Sequence, residues 1–207
     1  MKPIYLVGAA ALAAAALAGC HKTGSNAGKD IANPANSAPV NAVQDAAGGV
    51  VGMASGATMP TTAKAFVPAA VIANQYEIQA GQIAERRAQS QDVRMLAQMM
   101  VQDHTKMGQE MLQTLQSSGA NVPPPADLDD RRKGMLQNLN AAGDSDFDLA
   151  YLHQQLAAHI EALSLMKRYA DAGDNAGLKA LAAKAAPIIQ KHLDEVKRIG
   201  GDKLKGG

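Results

Sequence analysis

The sequence predicts an all-α protein, a four-helix bundle with a short extra helix between its second and third helices. Three observations carry that expectation. Apolar residues recur at steps of three and four along four long stretches, the spacing of one helical face. Alanine, leucine and methionine supply most of the apolar content, a mixture that favours helices over sheets. Turn-forming breaks separate the stretches, at Gln89-Ser90, Pro123-Pro124-Pro125, Gly143-Asp144 and Gly173-Asp174-Asn175.

The first 19 residues stand apart from the fold. Lys2 makes a short positive start, and residues 4–17 form an uncharged run rich in Ala and Leu. At about fourteen residues this run is shorter than the roughly twenty needed to span a bilayer. It ends in Leu17-Ala18-Gly19-Cys20, and Cys20 is the only cysteine in the chain. That tetrapeptide resembles the lipobox of bacterial lipoproteins. The resemblance implies cleavage before Cys20, diacylglycerol on its sulfur and an acyl chain on its amine. Several acyl chains together anchor stably, where one alone is marginal. The alternative is an ordinary secretory signal with an incidental cysteine. His21, not aspartate, follows the cysteine, so the expected location is the periplasmic side of the envelope, anchored to the outer membrane. No second cysteine exists, so an intramolecular disulfide is excluded.

Residues 20–62 read as a lipidated cysteine followed by a disordered tether. Beyond Cys20 this segment is rich in Ala, Gly, Asn, Ser and Pro, with no sustained apolar period. Such a composition buries too little apolar area to offset its ordering entropy. The folded domain is expected over residues 63–200, and residues 201–207 as a disordered tail.

Within the domain, the first helix is expected over residues 64–88, with Pro68 near its first turn and an inner face of Phe66, Ala70, Ala73, Glu77, Ala80 and Ala84. The second carries Val93, Ala97, Met100, His104, Met107 and Met111 on one stripe and ends near Ser118-Gly119. Asp127 is the expected N-cap of the short helix, whose apolar residues are Leu128, Met135, Leu136 and Leu139. The third long helix starts near Asp146 and aligns Leu149, Leu152, Leu156, His159, Leu163, Met166 and Ala170. The fourth aligns Leu178, Leu181, Ala185, Ile188, His192, Val196 and Ile199, with a kink expected at Pro187. Short links make two antiparallel hairpins and a longer connection joins them, which is the topology of ferritin-like bundles. A simple up-down bundle with the short helix across it is the competing arrangement.

The polar residues on these stripes are the candidate site. Glu77 and His104 lie at similar distances, about 20 Å, from the first hairpin turn. His159 sits near the middle of its helix, and His192 about one turn displaced from it. Glu77, His104, His159 and His192 are therefore expected to converge. Three imidazoles and a carboxylate suit zinc, copper or iron, with Asp103 or Gln155 orienting a ring from behind. Without metal they would form a hydrogen-bonded packing network. The familiar di-iron pattern needs Glu-x-x-His on two helices. Here Val101, Leu156 and Ile189 stand three residues before the histidines, which argues against that chemistry. Met100 and Met107 flank His104, and thioethers suit Cu(I), although adaptable packing is the commoner role of such a stripe. His153 lies off the stripe and is expected in solvent, as is His21.

Several blocks resemble a known family. They are Asn74-Gln75-Tyr76-Glu77-Ile78, Met99-Met100-Val101-Gln102-Asp103-His104-Thr105, Phe147-Asp148-Leu149-Ala150-Tyr151, His159, and the stretch from Pro187 to His192-Leu193. Over residues 66–196 the chain resembles the domain-of-unknown-function family 4142, which is similar to ferritin-like bundles and occurs in exported bacterial proteins. The resemblance implies fold and envelope location but no activity, substrate or metal.

Composition removes other function classes. The 207-residue chain balances 20 basic against 19 acidic residues, so no nucleic-acid partner is suggested. Aromatics are 3% with no tryptophan, too few for a base-stacking surface. No nucleophile–base pair or cofactor fingerprint is readable, which disfavours an enzyme. Two functions remain: a lipid-anchored envelope protein binding a metal or small ligand in its core, or a structural or interaction module whose histidines only fix packing.

Overall fold

The computed structural model describes residues 59–204. The expected signal peptide, Cys20, His21 and all but the last residues of the tether lie outside the described residues, as does the end of the tail. Five α-helices follow in order: α1 (Ala63–Arg87), α2 (Gln91–Ser117), α3 (Asp130–Ala141), α4 (Asp144–Ala172) and α5 (Ala176–Gly200). A 3-10 turn, Gly201–Leu204, closes the chain. The fold is all-α, with no strand among the described residues. No described helix is long and apolar enough to cross a membrane.

The two hairpins form because short breaks leave α1 beside α2 and α4 beside α5. Those are the closest-packed pairs, and α2 meets α5 while α1 meets α4. Helix α3 rests mainly on α1 and also touches α4. Polar side chains tie the ends together. The Asp148 carboxylate accepts from the backbone N–H groups of Gln89 and Ser90 at 2.9 and 2.7 Å, meeting the orphan donors where α2 begins. Arg87 donates to the carbonyls of Leu139, Asn140 and Ala142, which the end of α3 leaves unpaired. Asp174 accepts from Ala63 N–H at the start of α1 and from the Tyr169 hydroxyl.

Several expected boundaries shift for physical reasons. Pro68 lies inside α1, beyond its first turn, and the carbonyl it cannot pair belongs to Lys64, an exposed residue. The cap of α3 is Asp129, not Asp127: the Asp129 carboxylate accepts from Arg132 N–H at 2.7 Å, the reach that capping requires. Helix α4 starts at Asp144, with Gly143 as its cap residue. Helix α5 runs through Pro187 as one assigned helix. Residues 201–204, expected in a disordered tail, form the 3-10 turn because Leu204 packs on the core. Met59, at the end of the expected tether, likewise packs on the apolar interior.

That interior has two apolar clusters. One holds Tyr76, Leu96, Met100, Leu139, Phe147, Tyr151 and Val196. The other holds Phe66, Met111, Met166, Tyr169, Leu178, Ile189 and Leu193, with Phe66 and Tyr169 stacked at 3.8 Å. In α2 and α4 the boundary between clusters falls at a buried polar residue, His104 and His159, and the buried Glu77 of α1 and His192 of α5 lie close to it. A polar layer thus divides the core at mid-height.

Candidate metal centre

His104, His159 and His192 come together in this layer from three different helices. Their ring centroids are 5.3 to 5.6 Å apart. One nitrogen from each lies within 4.8 Å of the others, and the three buried side chains could hold a metal ion. The offset expected between His159 and His192 does not keep them apart, since those rings are 5.5 Å from one another.

The surroundings fix which nitrogen of each ring carries the proton. His159 Nδ1 lies 3.0 Å from the backbone carbonyl of Gln155, and His192 Nε2 lies 2.9 Å from Asp103 Oδ2. A carbonyl and a carboxylate only accept, so both ring nitrogens must donate. His104 Nδ1 faces Asn74 Oδ1 at 3.0 Å in the same way. The remaining nitrogens, His104 Nε2, His159 Nε2 and His192 Nδ1, are buried without a protein partner. Each is then a bare lone pair, the form that ligates a metal.

Electrostatics keep the rings neutral. Burial lowers the pKa of all three histidines. His104 is pushed down further by the charges its two neighbours would carry. His159 falls to about 4, burial outweighing the opposing bond to Gln155. At His192 the bond to Asp103 offsets part of the effect. Glu77 moves the other way, to about 7, because burial outweighs the nearby charge of Arg132. Its Oε1 is 3.7 Å from His159 Nδ1. With the imidazole held neutral, that contact is not an ion pair.

A family model described as a domain of unknown function (DUF4142) matches residues 49–199. The chain belongs to that family. No curated protein and no solved structure matches it.

Within this DUF4142 domain, each expected site residue has a definite place. The three histidines converge, and Glu77 lies against His159 without joining the three-nitrogen group. Asp103 orients His192 as expected of a ring partner. Gln155 differs: it holds His159 through its backbone carbonyl, not its side chain, whose amide is buried beside Glu77. His153 is half-buried rather than solvated, since it lies on a helix covered on most sides. Sequence reasoning missed Asn74 as the partner of His104; its place one turn before Glu77 on α1 was the available signal. It also missed Tyr151, whose hydroxyl is buried and unpartnered, and Arg132, buried over the Tyr76 ring and bonded to Glu161. Their polar tips follow from packing between helices, which no single-helix stripe displays.

Proposed function

We propose that this is a lipid-anchored envelope protein whose bundle, of ferritin-like topology, binds a transition metal ion through His104 Nε2, His159 Nε2 and His192 Nδ1. Glu77 stands beside the ion, and Asn74, Gln155 and Asp103 orient the rings. The observation that carries the reading is the set of three buried imidazoles, one nitrogen from each within 4.8 Å of the others, each ring held by a hydrogen bond at one nitrogen and bare at the other. Three nitrogen ligands with an open fourth position suit zinc, and imidazole also suits copper and iron. A tetrahedral ion with Zn–N near 2.0–2.1 Å would draw the nitrogens to roughly 3.4 Å from one another. The topology rests on the two hairpins joined by a connection carrying α3, and the anchor on the residues around Cys20.

A packing network is the weaker reading. Such a network stabilises only when its members satisfy one another. Here one nitrogen of each histidine and the Tyr151 hydroxyl are buried without a protein partner. Metal titration separates the two. Zinc, copper or iron added to metal-free protein, purified without an affinity tag, should raise the unfolding temperature, because a ligand of the folded state stabilises it. At about 100 times the dissociation constant the gain is roughly 2.7 kcal/mol. His104→Ala should abolish the response, and His153→Ala should keep it. If none of the three metals moves the wild-type melting curve, the metal reading is wrong.

A further inference from the structure

A cavity of about 270 Å³ is lined by α1, α2 and α5. Its walls are mostly apolar, with Val71 and Ile78 on α1, Met107 and Met111 on α2, and Ile188 and Ile189 on α5. Leu112, a half-exposed side chain, belongs to the same lining, so the cavity opens to solvent. A polar groove between α2 and α5 adjoins it, and Met107, Glu110, Lys184 and Ile188 line both. Asp103, Lys106 and Lys191 complete the charged lining of that groove, three lysines against two carboxylates. Both carboxylates are engaged, Glu110 with Lys184 at 2.8 Å and Asp103 with His192 at 2.9 Å. Lys106 and Lys191 are exposed and enter no salt bridge among the described residues, although Lys191 acts through space on Glu195. The two engaged pairs mark the ends of the groove, so Lys106 stands between them and Lys191 at the Asp103 end.

We propose that cavity and groove together bind a medium-chain fatty acid, its tail in the cavity and its carboxylate at Lys106 and Lys191. The apolar walls select a hydrocarbon body, and the charged groups at one end orient it. The tail length follows from volume: a dry cavity of about 150 Å³ accommodates benzene, so this one takes about ten carbons by proportion. A two-chain lipid carries far more hydrocarbon than that. The head group follows from charge, since the groove holds an excess of one lysine and its carboxylates already have partners. Contacts between solvated ions are individually weak, so the tail supplies most of the affinity and the lysines choose the sign of the head. Asp103 repels an anion at the Lys191 end, which draws the carboxylate toward Lys106. No histidine nitrogen takes part, so the inference goes beyond the metal reading and does not rest on it.

Calorimetric titration of the metal-free, full-length protein with decanoate, hexanoate and decylammonium tests this. Decanoate should bind with one site per chain. Hexanoate should bind at least about thirtyfold more weakly, since each methylene buried contributes about fourfold. Decylammonium carries the same tail with the opposite charge and should bind at least about threefold more weakly than decanoate. Changing Lys106→Gln and Lys191→Gln together should weaken decanoate at least about threefold without weakening decylammonium; both side chains are exposed, so folding is not at stake. Methyl NMR locates the tail: decanoate should shift the Met111 methyl signal in the cavity and leave that of Met95, exposed and outside it, in place. No decanoate binding, equal or tighter binding of decylammonium, or an unmoved Met111 signal would each overturn the inference. Decanoate binding with no response to zinc, copper or iron would discard the metal and keep this site. A metal response without decanoate binding would do the reverse.

Discussion

His159 shows how much one buried side chain sets for this protein. Its lowered pKa, about 4, means that the folded state keeps the ring neutral where the unfolded chain would protonate it. A depressed histidine contributes stability that is fully present above its unfolded pKa, near 6.5, and is lost as pH falls toward the folded value. A shift of that size corresponds to on the order of 3 kcal/mol. His104 and His192 shift in the same direction. Glu77 opposes them, since a carboxyl raised to about 7 favours the folded state below that pH and disfavours it above. Between about pH 4.5 and 6.5 three histidines outweigh one carboxyl, so the metal-free protein should lose stability on acidification across that window. Urea unfolding at pH 7 and pH 5 measures this, and a protein as stable at pH 5 as at pH 7 would show that the rings are charged inside. At this scale the sequence was informative where a side chain stood on its own helix's stripe, as the three histidines and Glu77 do. It was silent on the Gln155 carbonyl, because a hydrogen bond to backbone leaves no periodic trace, and Asn74 was marked only by its place one turn before Glu77.

The helices themselves were legible from apolar period and breaks, while their ends were not. Asp127 and Asp129 look alike as capping residues in the sequence, and only the position of the Arg132 N–H decides between them. How closely helices approach is equally hidden. Gly81, buried in α1, sits where α1 crosses α2: a Cβ there would lie 2.8 Å from Val101 Cγ2 and 3.2 Å from the Ala97 carbonyl oxygen. Gly134 in α3 has nothing within 4 Å of the same position. Alanine is worth up to about 1 kcal/mol over glycine in a helix. Forcing atoms into a packed contact costs about 1–3 kcal/mol. Gly134→Ala should therefore stabilise the protein by about 0.5–1 kcal/mol, and Gly81→Ala should destabilise it despite the better helix propensity. Urea midpoints of the two variants make the comparison, and a stabilising Gly81→Ala would mean that α1 and α2 are not closely packed there. Because Gly81 lies one turn beyond Glu77, that spacing also sets how near the carboxyl stands to the histidines.

The whole molecule joins a divided core to an anchor read from residues outside the described ones. The two apolar clusters hold the helices on either side of the polar layer, so the layer is kept in place without depending on its own hydrogen bonds for stability. The chain ahead of α1 is suited to carrying such a domain at some distance from a membrane, since forty extended residues reach up to about 130 Å and a flexible coil averages far less. In the proposed function attachment would depend on one atom, the sulfur of Cys20, the only thiol in the sequence. Mass spectrometry of the mature N-terminus from envelope fractions should find it beginning at Cys20 and carrying diacylglycerol and an amine-linked acyl chain. Cys20→Ala should leave the protein unlipidated and released from the membrane fraction, because no described helix can replace the anchor. The bundle's metal response should survive that change, since the three proposed ligands, His104, His159 and His192, all lie on described helices. An unmodified Cys20, or cleavage elsewhere, would remove the anchor from the proposed function while leaving the three-histidine centre to be judged by its own titration.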